Sequence, residues 1–150
     1  MQSPSIHISV ARQTLTLHST QGPLEFPIST SQFGLGTEEG SFKTPLGHFE
    51  IAEKIGAGAP LGAIFDSRLP TGQTGLPSDP RDLVQTRILW LHGLDPDNAN
   101  THSRYIYIHG TNHESHIGTP ASHGCIRMRN ADIAHLFDLV PTGTPVLIQP

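Results

Sequence analysis

A chain of 150 residues with 35% hydrophobic and only 15% charged side chains is too apolar to stay disordered, and residues 1–150 read as a single domain. A net charge of −4, with nine scattered Lys and Arg, excludes the basic footprint of a nucleic-acid binder. No apolar run approaches the roughly 18 residues of a membrane span, and the 15 glycines and 13 prolines favour short strands and turns over a helical bundle.

In chain order, Ile6, Ile8 and Val10 share one face of a first strand, and Leu15 and Leu17 resume that face after a break near Ala11-Arg12. Leu24 to Ile28 follows the turn signal Gly22-Pro23, so the opening segment reads as a small antiparallel sheet. Pro27 suits an edge or a bulge, because it has no N–H for the ladder. Thr44-Pro45-Leu46-Gly47 is a turn before a strand from His48 to Glu53. Residues 55–80 show no sustained periodicity and are expected to form a long loop or lid. Two apolar strands follow, Arg87–His92 and Arg104–Ile108, whose near-continuous hydrophobicity places them in the middle of the sheet. Trp90, Tyr105 and Tyr107 are expected in or at the edge of the core. One helix is expected near the end, with Asn130 as N-cap and Ile133, Leu136, Phe137 and Val140 on one face. Pro141 and Gly143 stop it, and Pro145–Ile148 forms a last strand. The fold class is mainly β with one helix.

Cys125 is the single cysteine. A lone cysteine ordinarily acts as a small buried hydrophobe, but Ser122-His123-Gly124 precedes this one. Gly124 permits a sharp bend, and a tight turn there aligns backbone N–H groups as an oxyanion hole. A free thiol, with a pKa of about 8.5, also needs a base. His109 stands at the end of an apolar strand, where a sheet delivers a side chain to its rim; His123, two residues from the thiol, is the alternative. Arg127 and Arg129 follow the cysteine, and Arg127 is the better placed to clamp a substrate carboxylate. Arg129 reads as a solvated cation or a partner of Asp132.

The competing chemistry is metal. His109, His113, Glu114, His116, His123 and Cys125 are zinc-ligand types, yet His113-Glu114-Ser115-His116 is one residue short of HExxH. Neither a metal nor another cofactor is expected.

The segment Ile108-His109-Gly110-Thr111-Asn112, followed after a spacer by Ser122-His123-Gly124-Cys125-Ile126-Arg127-Met128, resembles the signature of the L,D-transpeptidase catalytic domain, or YkuD domain. The likeness extends weakly to Ile6–Leu17, Pro27–Thr30 and Lys43–Phe49, and residues 55–80 are its least recognisable part. The resemblance implies the family's β-sandwich-like mixed sheet with a short helix after the catalytic cysteine. It implies Cys125 as nucleophile, His109 as base with the Gly110 carbonyl orienting its ring, and His123, Gly124 and Cys125 as the oxyanion segment. Arg127, Ser122 and Thr111 fall at substrate-binding positions.

The implied partner is a peptidoglycan tetrapeptide stem or soluble muropeptide, attacked at the L-centre of diaminopimelate with release of D-Ala. Water as acceptor gives an L,D-carboxypeptidase, and the amine of a second stem gives a 3–3 crosslink. The start MQSPSIHISVARQ has no basic segment followed by about 7–15 apolar residues, so a cytoplasmic carboxypeptidase working in muropeptide recycling is expected. A trimmed signal would make the chain a periplasmic transpeptidase. A catalytically idle peptidoglycan-binding domain is the alternative of another class.

Overall fold

The computed structural model describes residues 3–150, so Met1 and Gln2, which enter the reading of the chain's start and of the domain's extent, lie outside the described residues. The strands are β1 (Ser5–Ser9), β2 (Thr14–His18), β3 (Leu24–Ser29), β4 (Gly47–Ile55), β5 (Ala63–Asp66), β6 (Leu69–Thr74), β7 (Val84–Gly93), β8 (Tyr107–Gly110), β9 (Ile126–Met128) and β10 (Pro145–Gln149); the helix α1 is Asn130–Leu139. They form one mixed sheet in the order β4-β10-β1-β2-β3-β9-β8-β7-β5-β6. β4 also pairs with β7, so eight strands close into a barrel from which the β5–β6 hairpin projects.

Alternation explains the interior. Ile6 and Ile8 of β1, Leu15 and Leu17 of β2, and Val146 and Ile148 of β10 all point inward, because every second side chain of a strand shares a face. Ile133, Leu136, Phe137 and Val140 join the same core, so α1 seals the barrel. Burying each such side chain contributes about 1.5–3 kcal/mol. No helix among the described residues is long and apolar enough to cross a membrane.

Four local readings change. Residues 55–80 hold the end of β4 and the β5–β6 hairpin, whose polar β6, LPTGQT, is fully exposed and carries no alternating signal. Arg129, not Asn130, occupies the N-cap position of α1; the Asn130 side chain is drawn away to Gln85 and Thr111. The strand expected from Arg104 begins only at Tyr107. Arg104 turns back to donate to the carbonyls of Gly36 and Lys43, and Tyr105 is 52% exposed with φ +58°. Val10 lies just past β1 and is only half-buried.

Candidate active site

β8 and β9 run parallel, pairing Ile108 with Ile126, His109 with Arg127 and Gly110 with Met128. Ile108, Ile126 and Met128 fill the barrel core, so alternation turns Tyr107, His109 and Arg127 to the outer face; Cys125, just before β9, joins them. On that face Cys125 packs against Ala63, Phe65, Ile88, Trp90 and Tyr107, a second apolar cluster beneath the β5–β6 hairpin.

The turn before the cysteine is tied from three sides. Ser122 donates its hydroxyl to the Cys125 carbonyl (2.6 Å) and accepts the Gly124 N–H (3.2 Å). Thr44 donates to the Gly124 carbonyl (3.0 Å) while accepting the Ser31 N–H (2.9 Å). Gly124 has φ +120°, which favours glycine, and a Cβ there would sit tightly at 3.3 Å from the Lys43 carbonyl oxygen. With the Gly124 amide spent on Ser122, the His123 and Cys125 amides are those of the turn without a hydrogen-bond partner among the described residues. Ser122, expected to bind substrate, is buried, with its hydroxyl engaged within the turn. Thr111, expected likewise, is buried with its hydroxyl accepting the His113 N–H (3.1 Å).

His109 is buried, and its Nδ1 lies 2.6 Å from the Gly110 carbonyl oxygen. A carbonyl only accepts, so Nδ1 carries the proton and Nε2 presents its lone pair. Burial holds the His109 pKa below its ordinary value, against the opposing pull of the Gly110 carbonyl and Asp82. The imidazole is therefore neutral and competent as a base.

The thiol is neutral too. Its hydrogen bonds run from the Tyr107 N–H (3.3 Å) and to the Tyr105 carbonyl (3.3 Å), and none joins it to His109 among the described residues. Burial pushes the Cys125 pKa up to about 11; Asp82 adds to the rise, and the Tyr107 N–H, Arg127 and Arg104 oppose it. A pocket of about 280 Å³ reaches the cysteine between Phe42, Arg104, Tyr105 and His123.

Sequence reasoning missed Asp82. Its carboxylate lies 2.7 Å from Arg127 Nη2 and 3.1 Å from His123 Nδ1. Burial alone would raise its pKa, but Arg127, His109 and His123 hold it below the ordinary carboxylate value. Nothing in the local sequence separates Asp82 from Asp79, which is paired with Arg81 at 2.6 Å. The one indirect signal is Asn112 of the motif, whose amide binds the Leu83 N–H and the carbonyls of Asp79 and Arg81 and so pins the Asp82 loop. Arg127, expected as a substrate clamp, is only 2% exposed and serves Asp82. His123 leans on Phe33 and Phe42 and turns its Nδ1 to Asp82, away from any role as base. Of the other histidines weighed as zinc ligands, His113 meets the Asp79 carbonyl at 2.9 Å, and His116 is exposed beside the His113 ring.

The strand beside His109 is irregular. β7 pairs Gln85 with Gly110 and Ile88 with His109, leaving Thr86 and Arg87 as a bulge. Thr86 takes φ +74°, an unfavourable angle for a β-branched residue, held by its hydroxyl between the Gly62 N–H (2.9 Å) and Asn130 Oδ1 (2.6 Å). Asn130 Nδ2 reaches Gln85 Oε1 and the Thr111 carbonyl, locking the bulge to the end of β8. A Cβ on Gly110 would stand 2.2 Å from Asn130 Oδ1 and 2.6 Å from the Gln85 carbonyl oxygen. Gly110→Ala is therefore expected to cost about 1–3 kcal/mol, read as a shift of the denaturant midpoint at unchanged slope.

The model of the L,D-transpeptidase catalytic domain, YkuD, matches residues 3–148. Putative L,D-transpeptidase YqjB of Bacillus subtilis is 50% identical over 52 residues, covering 35% of this chain and 30% of that protein. Probable L,D-transpeptidase YbiS of Escherichia coli is 39% identical over 95 residues, covering 63% of this chain and 24% of that protein. The fold matches L,D-transpeptidase 3 from Mycobacterium tuberculosis in complex with a faropenem-derived adduct, with TM-score 0.64 and 20% identity, covering 98% of this chain and 61% of that one. These matches span less than two thirds of the length of each relative. The catalytic-domain match takes in the barrel, the His109 strand and the Cys125 turn together, and the chain belongs to the L,D-transpeptidase catalytic-domain family of cysteine enzymes.

Proposed function

We propose that the domain cleaves a peptidoglycan tetrapeptide stem at the bond between the L-centre of diaminopimelate and the terminal D-Ala, and that water then releases the tripeptide. One observation carries the reading: a neutral imidazole, its Nδ1–H fixed on the Gly110 carbonyl, shares a sheet face with a thiol at the end of a turn holding two unpaired amides. Cys125 Sγ bonds to the carbonyl carbon and its proton passes to His109 Nε2. The oxyanion is received by the His123 and Cys125 amides. Collapse breaks the C–N bond, His109 returns the proton to the leaving D-Ala nitrogen, and a thioester remains on Cys125. Water attacks that thioester with His109 again taking the proton, and the thiol is regenerated with a free tripeptide acid. Because the proton passes to His109 as the sulfur attacks, a raised thiol pKa does not forbid the step, and aligned amides supply about 100- to 1,000-fold of such a rate.

Water is the acceptor in this reading. The pocket that reaches Cys125 on the Phe42–Arg104–His123 side is about 280 Å³, a size that suits the acyl peptide, and water needs no second binding site. The protein mixed with a tetrapeptide stem is expected to yield tripeptide and D-Ala, with a transient acyl adduct on Cys125 in the intact mass. A dominant dimer would overturn water as the acceptor. No adduct with the stem or with a carbapenem would overturn acyl transfer and leave an idle binding domain.

A further inference from the structure

The β5–β6 hairpin turns through Ser67 and Arg68, with Asp66 paired to Leu69 across it. Both turn residues have positive φ, +49° and +68°, in a two-residue turn that ordinarily calls for Asn-Gly. A strained turn built from ordinary side chains implies that something holds it in place. Here it is the arginine. Arg68 Nη1 donates to the Tyr107 hydroxyl at 3.1 Å, and its Cζ lies 4.9 Å from the ring centroids of both Trp90 and Tyr105. Trp90 is in turn stacked on His102 at 3.9 Å and 6°, and its indole N–H is bound to the His102 carbonyl. The shelf under the guanidinium is therefore itself fixed.

That shelf belongs to the nucleophile's own surroundings. Tyr107, which holds Nη1, donates its backbone N–H to Cys125 Sγ; Tyr105, whose ring lies under the guanidinium, accepts the thiol proton at its carbonyl. Yet Arg68 pairs with no carboxylate among the described residues, and Nη1 to Tyr107 is its only protein hydrogen bond there. A half-buried cation braced by two rings, with most of its planar fork unspent, has the form of a receptor for a carboxylate.

We propose that Arg68 is a substrate-binding residue that takes a carboxylate of the donor peptide beside the scissile bond. This rests on the donor proposed above. That donor offers two such groups, the C-terminal carboxylate of the leaving D-Ala and the carboxylate at the D-centre of the diaminopimelate side chain. Both present the same planar oxygen pair to the fork.

The test is direct binding, measured by calorimetry on Cys125→Ala protein so that turnover does not intervene. Three peptides are compared: the tetrapeptide stem, its C-terminal amide, and the stem with lysine in place of diaminopimelate. Loss of the recognised carboxylate is expected to weaken binding about tenfold or more with Arg68 present, and the peptide that suffers identifies which carboxylate is bound. In Arg68→Gln protein the stem should bind no better than that weakened analogue, and Arg68→Lys should recover only part of the difference. Equal binding of all three peptides to the Arg68 protein overturns the assignment alone. Absence of binding by any of them overturns the assignment together with the proposed donor. Unchanged far-ultraviolet circular dichroism of Arg68→Gln shows that the comparison is made on folded protein.

Discussion

Replacing Asp82 by alanine is expected to destabilise the domain by about 2–4 kcal/mol, seen as a fall in melting temperature of roughly 5–15 °C. The reason is asymmetry of burial. The Arg127 side chain is 3% exposed and its Nε already has no hydrogen-bond partner, whereas Asp82 is 36% exposed. Removing the carboxylate strands a buried cation, which for a fully buried pair costs about 3–5 kcal/mol, reduced here because solvent reaches the acid side of the pair. Arg127→Met should cost clearly less, since the carboxylate left behind can be hydrated and still meets His123 at 3.1 Å. A larger loss in Arg127→Met than in Asp82→Ala would show that the pair does not work as described.

His109→Gln is expected to slow acylation of Cys125 by a carbapenem about 10²- to 10⁴-fold at pH 7, and to change the shape of the pH profile. The His109 pKa is depressed below the ordinary 6.5, so the base is already unprotonated as the pH rises past that value, and the wild-type rate should be flat from about pH 7 to 9. The thiol pKa of about 11 leaves only about one molecule in 10,000 as thiolate at pH 7, so without the base the rate must follow thiolate and climb tenfold per pH unit. The gap between the two proteins thus narrows toward high pH. Stopped-flow fluorescence or timed mass spectrometry reads both profiles; a flat profile in His109→Gln would remove His109 from the proton transfer.

What was legible in the sequence is what local chemistry determines. Period-two alternation in Ile6–Leu17, the i, i+3, i+4, i+7 face of Ile133–Val140, and the bend at Gly124 are all properties of a few neighbouring residues. Cys125 and His109 could be singled out because a strand and a turn deliver them within one short motif. Asp82 and Arg68 could not, since each acquires meaning from a partner far along the chain, Arg127 in one case and Trp90, Tyr105 and Tyr107 in the other. The same limit explains Ser122, Thr111 and Arg127. Their residue types suit substrate contacts, but only the fold shows that they are buried and already engaged with protein groups. The hairpin in residues 55–80 was hidden because β6 is exposed throughout and has no buried face to write an apolar period.

Closure of the barrel has a consequence for the order of assembly. β10, residues 145–149, lies between β1 and β4, pairing Ile6 with Val146 on one side and Phe49 with Val146 on the other. The ring is completed by a strand that emerges long after both of its neighbours, and until it inserts, β1 and β4 each present an unpaired backbone edge. Joining such distant segments carries a loop-closure entropy cost that local hairpins such as β1–β2 escape, so folding belongs in the millisecond-to-second range of non-local β proteins. The newly made chain meets its greatest hazard of edge-to-edge association in that interval, before its last strand is in place.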